Sequence, residues 1–427
     1  MAKVICICSL LLLASLAAAQ QAAGQQPCCD PLESRLRALE DKIRALEEEV
    51  QQLRAVQASP PATAPSAVAA AGAPVAPAQT VPAPGSGQLP VYGGASALAK
   101  ALNPDIGLIG TFLGTAGGNR IRPSPSFEMA ESELSLQAII DPYARGDFFL
   151  SFGEEGVELE EGYITFTALP AGLVAKAGKM RSAFGKVNPM HRHMLPWTDR
   201  PLVTENLLGG EEGITDAGFS VSRILPAPKG IFLEATGQVF RGDSGAEEEP
   251  VFIASRKSDV STVAHLRGYR DLTESTNLDL GLSFARGQND AGSTTNIYGV
   301  DATLRWKPLR RAIYRSFIAR SEFVWSQRRQ QPEALLPAVQ RAFGFYTSAD
   351  FQFNRRWTAG ARYDWSERAR NAFESDRGAS ALLTFRPSEF TELRGQYRFT
   401  RFAEGVDANE FRLQLQFSLG AHGAHPF

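Results

Sequence analysis

The chain of 427 residues is poor in cysteine and histidine, carries no excess charge of one sign, and contains a single long apolar run. Its four cysteines fall as Cys6 and Cys8 inside that run and as the neighbours Cys28 and Cys29, so neither a disulfide framework nor a cysteine-based zinc motif is present. With 44 basic against 46 acidic residues there is no general field to hold a polyanion, and nucleic acid is not an expected partner. Beyond the run from Val4 to Ala19, nothing approaches the roughly 20 apolar residues a spanning helix requires. A polytopic helical membrane protein is thereby excluded. A transmembrane β-barrel is not, because alternating strands escape hydropathy averaging. Phosphate-binding glycine loops are also missing. Gly242-Asp243-Ser244-Gly245 echoes a serine nucleophile motif, but no oriented His–Asp pair accompanies it, and no enzyme is expected.

What is present starts with an export signal over 1–19: Lys3, a Leu-rich core, and the small residues Ala17-Ala18-Ala19 before Gln20. A short cysteine-containing segment, 20–31, follows. A bridge between Cys28 and Cys29 themselves is strained, which leaves bridging between subunits or plain surface thiols. Over 32–55, Leu32, Leu36, Leu39, Ile43, Leu46, Val50 and Leu53 alternate four and three apart, the period of a coiled coil. Arg35/Glu40, Lys42/Glu47 and Glu49/Arg54 are then opposite in sign across a parallel interface, which points to a homo-oligomer and leaves dimer and trimer open. Residues 56–98 are dominated by Pro and Ala, too poor in large apolar side chains to fold, and read as a semi-rigid tether in the periplasm.

From residue 99 to 427 period-two alternation takes over. Phe411, Leu413, Leu415, Phe417 and Leu419 share one face, with Arg412, Gln414, Gln416 and Ser418 on the other. Segments of this kind recur at 105–113, 127–140, 144–152, 157–168, 172–181, 216–224, 230–240, 251–268, 276–286, 295–307, 314–326, 342–354, 356–366, 378–386, 391–401 and 409–419. They predict an all-β fold, an antiparallel transmembrane β-barrel of about 16 strands, preceded by the short helical coil. Short Pro-marked turns such as Asp141-Pro142 and Arg386-Pro387 alternate with longer gaps at 182–215, 241–250 and 327–340, as in a bacterial outer-membrane barrel with its long loops outside.

A barrel of that size encloses more than side chains can fill, which implies a water-filled channel for passive diffusion of small solutes or ions. Its outer face would meet lipid and lipopolysaccharide. Inward candidates are Glu131, Glu133, Asp147, Glu234, Asp279 and Asp301 on early strands, and Arg320, Arg362, Arg394, Arg398 and Arg412 on later ones. They would either set up a transverse field or neutralise one another. The 182–215 segment, with its apolar and basic mixture, suits a loop folded inward as the pore constriction, lined by Lys186, His191, Arg192, His193 and Arg200, of which Lys186, Arg192 and Arg200 would favour anions. An exposed loop is the alternative.

Asn103-Pro104-Asp105, Asp141-Pro142-Tyr143-Ala144-Arg145, Glu160-Glu161-Gly162-Tyr163 and Ala177-Gly178-Lys179-Met180-Arg181, running through Phe184-Gly185-Lys186 into the long loop, resemble the phosphate-selective-porin type of outer-membrane channel over roughly residues 100–420. That resemblance implies a sixteen-stranded homotrimer with an inward third loop and a basic ladder for phosphate. Here the later-strand arginines are interspersed with acids, a departure from the ladder. Four of the five histidines form two pairs, His191/His193 and His422/His425, whose spacing suits Zn²⁺ if they meet. An outer-membrane zinc receptor or uptake protein is one alternative function; a structural envelope barrel tethered through its coil is another. The plainer expectation has His193 packed on Trp197 and the tail merely ending the barrel at Phe427.

Overall fold

The computed structural model describes residues 104–420, except 154–155, 247–249 and 331–336. The expected signal, cysteine segment, coil and tether, and the tail residues His422, His425 and Phe427, lie outside the described residues.

Alternation between the two faces gives sixteen strands: β1 (Asp105–Gly118), β2 (Phe127–Asp141), β3 (Ala144–Gly153), β4 (Gly156–Phe166), β5 (Leu173–Arg181), β6 (Thr215–Ile224), β7 (Ile231–Phe240), β8 (Ser261–Thr273), β9 (Thr276–Gln288), β10 (Thr294–Trp306), β11 (Ser316–Arg329), β12 (Val339–Gln352), β13 (Trp357–Glu367), β14 (Ser375–Phe385), β15 (Thr391–Arg401) and β16 (Asp407–Gly420). Each pairs antiparallel with its neighbours in sequence, and β1 closes on β16 from Gly107↔Gly420 to Gly118↔Asn409. Closure leaves no strand edge with unpaired N–H and C=O groups. Both ends of the barrel chain therefore sit at one rim, called here the terminal rim, with the long connections at the other.

The two faces are the reverse of a water-soluble core. Leu282, Phe219, Phe411 and Leu413 point out and are at least half exposed, while Arg412, Gln414, Asp279 and Ser283 point in and are buried. An aromatic ladder runs along the outside of β11–β13, with Trp325 on Phe343 at 5.1 Å and Phe345 on Tyr363 at 6.1 Å.

All sixteen expected segments fall on strands, and two of them differ by five residues or more at an end. β1 runs on through Gly118. The expected strand 251–268 begins only at Ser261, because Val251 and Phe252, which read as strand residues, instead plug the lumen: Phe252 is 1% exposed and bridges to Ser244 within the 241–260 connection.

The interior apolar cluster comes largely from the connection between β5 and β6. Phe184, Val187, Leu195, Trp197, Val203, Leu207 and Leu208 pack against Val263, Ala285, Ile297, Val324 and Tyr346 of the wall. At about 1.5–3 kcal/mol for each fully buried large side chain, this patch supplies the main drive that draws the connection inside. Its one α-helix, α1 (Leu202–Leu207), is seated against β11–β14.

Closure of β1 on β16 depends on a missing side chain. Gly110 pairs with Phe417, whose ring fills the space a Cβ would take. Gly110→Val is expected to displace the ring and cost about 1–3 kcal/mol of barrel stability. Urea titration of the refolded protein checks this; an unchanged midpoint would contradict it.

Candidate functional site

Residues 182–214 leave β5, cross the lumen and return to β6, and Asn188 closes their base by donating to the Ser182 and Ile214 carbonyls at 3.0 and 3.1 Å and accepting from the Ile214 N–H at 2.8 Å. The descending arm is stitched to the wall through its own backbone. The Ala183 N–H donates to Gln238 Oε1 at 2.7 Å, the Gly185 N–H to Ser283 Oγ at 2.9 Å, and the Lys186 and Val187 N–H groups to Glu322 Oε2 at 3.3 Å each. Gly185 sits at φ 60°, and a Cβ there would run into the Glu322 carboxylate, so only glycine permits this turn.

Two oppositely charged stretches of wall receive the middle of the loop. On one side are Glu131 and Glu133 of β2 with Glu160 and Glu161 of β4. Adjacent strand residues ordinarily face opposite ways, but each of these strands carries a β-bulge. Register slips at Ala130, between Glu131 and Met129 opposite β1, and at Glu160, between Glu161 and Leu159 opposite β3. The extra residue in β4 lets both Glu160 and Glu161 aim inward. His191 enters this acidic pocket at 5% exposure: its Nε2 is 2.7 Å from Glu161 Oε2, and its Nδ1 is 2.8 Å from Glu133 Oε2 and 3.0 Å from Glu160 Oε2. Burial opposes charge on the imidazole, yet the carboxylates of Glu133, Glu160 and Glu161 outweigh it and raise its pKa well above 6.5. The His193 Nδ1 lies 3.4 Å from Glu133 Oε2 and 3.5 Å from Glu131 Oε2.

Across the lumen the charges are inverted. Asp199 accepts from Arg362 Nη2 at 2.6 Å and pairs with Arg398 Nη1 at 2.9 Å, while Gln396 donates to its other oxygen. Burial by itself would raise the Asp199 pKa; Arg362, Arg398 and Arg412 overcome it and hold the carboxyl well below its ordinary range. Arg362 also donates to Asp364 at 2.8 Å and stacks over Trp197 at 4.8 Å. Arg394 donates to the Leu195 and Trp197 carbonyls at 2.9 and 3.1 Å.

The residues expected at the constriction are thus all brought to the lumen, but several of their charges are already engaged. Lys186 Nζ donates to Asp279 at 2.9 Å; Arg200 is 3% exposed and donates to the Val187 and Met190 carbonyls; Arg192 lies between Glu211 at 3.2 Å and Glu128 at 3.8 Å. Of the wall arginines, Arg362, Arg394 and Arg398 grip the loop, Arg412 pairs with Glu410 at 3.0 Å, and Arg320 pairs with Asp350 at 2.6 Å away from it. Trp197 lies edge-on to Tyr346 at 5.2 Å, and His193 presents its Nδ1 to the carboxylates. Asp199, Glu160, Glu161, Glu322 and Gln396 were not singled out as site residues from the sequence.

Three cavities succeed one another beside the loop. One of about 470 Å³ lies beside His191 and His193 and reaches Arg145 and Lys176; one of about 430 Å³ lies toward the long connections, beside Arg122, Arg398 and Arg412. A smaller one of about 130 Å³ shares Arg181 with the first and Arg192, Asp199 and Glu211 with the second. Its lining holds four basic side chains and six carboxylates.

No family model matches the chain. Over 337 residues, 70% of each chain, it is 31% identical to an uncharacterized protein of Aquifex aeolicus (strain VF5). Solved structures of similar outline include the loop-L8 deletion mutant of OmpT, an outer membrane protein of Vibrio cholerae, at 10% identity and a TM-score of 0.49, covering 74% of this chain and 99% of that one. The anion-selective porin from Comamonas acidovorans matches at 10% identity and 0.49 over 74% and 98% of the two chains. The outer membrane channel DcaP of Acinetobacter baumannii matches at 12% and 0.48 over 74% and 96%.

Arg362→Met should leave buried Asp364 without the cation that bonds it and Asp199 with Arg398 as its one remaining paired arginine, and cost about 3–5 kcal/mol, far beyond the ~0–1 kcal/mol of an exposed pair; equal resistance of loop 182–214 to protease in variant and parent would refute this. Because the Asp199 pKa is depressed in the fold, its contribution is complete above the ordinary value of 3.8 and is lost only as pH falls through the lower folded value. Trp197 emission, taken as the difference from Trp197→Phe, is expected to stay unchanged from pH 7 to 4. A red shift within that window counts against the assignment.

Proposed function

This chain belongs to one family with its Aquifex aeolicus relative, and from its own geometry we propose that it is an outer-membrane porin: a water-filled channel for passive diffusion of small hydrophilic solutes or ions, narrowed by the loop 182–214. The observation that carries this reading is a closed wall, apolar outside, around three successive charged cavities. An exterior with half-exposed Leu282, Leu413 and Phe411 suits hydrocarbon, and its rims suit lipid headgroups and lipopolysaccharide. In that setting the terminal rim faces the periplasm, where the coil expected over 32–55 would help to hold a homo-oligomer, a trimer by resemblance.

Selectivity follows from which charges remain available. Lys186 and Arg200 are engaged by Asp279 and by backbone carbonyls, so the anion preference expected from them has no free cations to support it. The smallest cavity is lined by six carboxylates and four basic groups; with Asp199 and Arg200 already engaged, five carboxylates face three basic groups, which favours small cations modestly.

Planar-bilayer recording of the folded protein is expected to show small conductance steps, a reversal potential on the cation side in a KCl gradient, and steps several-fold larger when residues 189–200 are replaced by a Gly/Ser linker. Absence of steps from both proteins would remove the channel reading. A reversal potential on the anion side would overturn the selectivity alone.

A further inference from the structure

We propose that the inward loop and the two bulged strands form a binding site for one divalent first-row transition-metal ion, held by His191 Nδ1 and the carboxylates of Glu131, Glu133 and Glu160. One ligand atom from each of these four lies within 4.8 Å of all the others. Around an ion with bonds of about 2.0–2.2 Å, opposed ligands stand at most about 4.4 Å apart, so sub-ångström side-chain shifts close the shell.

The polar atoms themselves point to a missing partner. His191 Nδ1 is buried and lies 2.8 and 3.0 Å from two carboxylate oxygens, yet is aligned for a hydrogen bond with neither. Both oxygens of Glu131 and Oε2 of Glu133 are buried and accept no hydrogen bond. On the far side of the ring, Nε2 faces Glu161 Oε2 at 2.7 Å. A proton on Nε2 donated to Glu161 leaves the Nδ1 lone pair directed at the three carboxylates, the arrangement by which an outer carboxylate sets the tautomer and raises the basicity of a metal-bound histidine. Glu161 is itself held, accepting the Arg181 N–H at 2.6 Å.

Charge leads to the same place. Four carboxylates converge here; the cations in contact with them are His191, His193 and Arg181, the last 3.5 Å from Glu160, while Arg192, Arg200 and Lys176 line the same cavities. A dication bound to a neutral His191 would take the place of the imidazolium among these carboxylates. Three carboxylates with one imidazole suit Zn²⁺, Mn²⁺ or Fe²⁺ better than soft Cu⁺, which prefers sulfur, or Ca²⁺, which prefers oxygen alone. The ionisable partners that His191 meets among the described residues include the carboxylates of Glu133, Glu160 and Glu161. Bound there, the ion would cross-link the loop to β2 and β4. This holds whether or not the barrel conducts, since the readout is metal content.

The full-length folded protein in detergent, stripped with EDTA, is titrated with Zn²⁺ by calorimetry, and its zinc is counted after desalting. One zinc per chain is expected, undisturbed by excess Ca²⁺. Glu131→Gln/Glu133→Gln should lose it, weakening binding at least a hundredfold, while H422A/H425A keeps it. Glu161→Gln should retain the stoichiometry with binding about 10–100-fold weaker, and it decides the matter if the double variant fails to show the heat-dependent gel mobility of a folded barrel. Substoichiometric zinc in the parent, parental affinity in Glu161→Gln or in a folded double variant, or loss confined to H422A/H425A would each overturn the proposal.

Discussion

The structure turns on the need to neutralise two buried walls of opposite charge with a single segment of chain. Glu131, Glu133, Glu160 and Glu161 stand on one side of the lumen; Arg362, Arg394 and Arg398 stand on the other. Left to themselves in a partly desolvated interior, such groups cost several kcal/mol each. The loop 182–214 meets both: His191 and His193 are offered to the carboxylates, and Asp199 to the arginines. Apolar burial draws the loop inward, and charge then decides where along the wall each part of it can rest.

That division of labour explains why the loop is ordered along its length by polar groups of the wall and not by helix or sheet of its own. Outside α1 it has almost no regular structure, so its N–H groups need external acceptors. Gln238, Ser283, Glu322, Gln396 and Asp364 provide them, one after another, from β7 through β15. A wall that serves as the loop's hydrogen-bonding partner leaves open only the remainder, including the smaller cavity lined by Arg181, Arg192 and Glu211.

Much of this was legible beforehand. Period-two alternation in a stretch such as Phe411–Leu419 needs only the pleat of a strand to be interpreted, and the wall arginines and acids were placed on the inner face by that parity alone. Parity failed where the chain departs from ideal pleating. At Glu160 a bulge adds one residue and turns a side chain inward that alternation assigns outward. At Val251 and Phe252 apolar residues serve as plugs in a connection and mimic a strand.

By itself the sequence determined the strand count, the apolar exterior, the polar interior and the presence of one overlong connection, because each is a property of local spacing that survives without knowing what touches what. Only the tertiary structure decided the partners: that Asp199 lies between Arg362 and Arg398, some 160 to 200 positions away, and that His191 meets the carboxylates of β2 and β4. Such pairings depend on the angle at which a loop crosses a closed cylinder. Barrel closure and two bulges set that angle, and neither leaves a period in the chain.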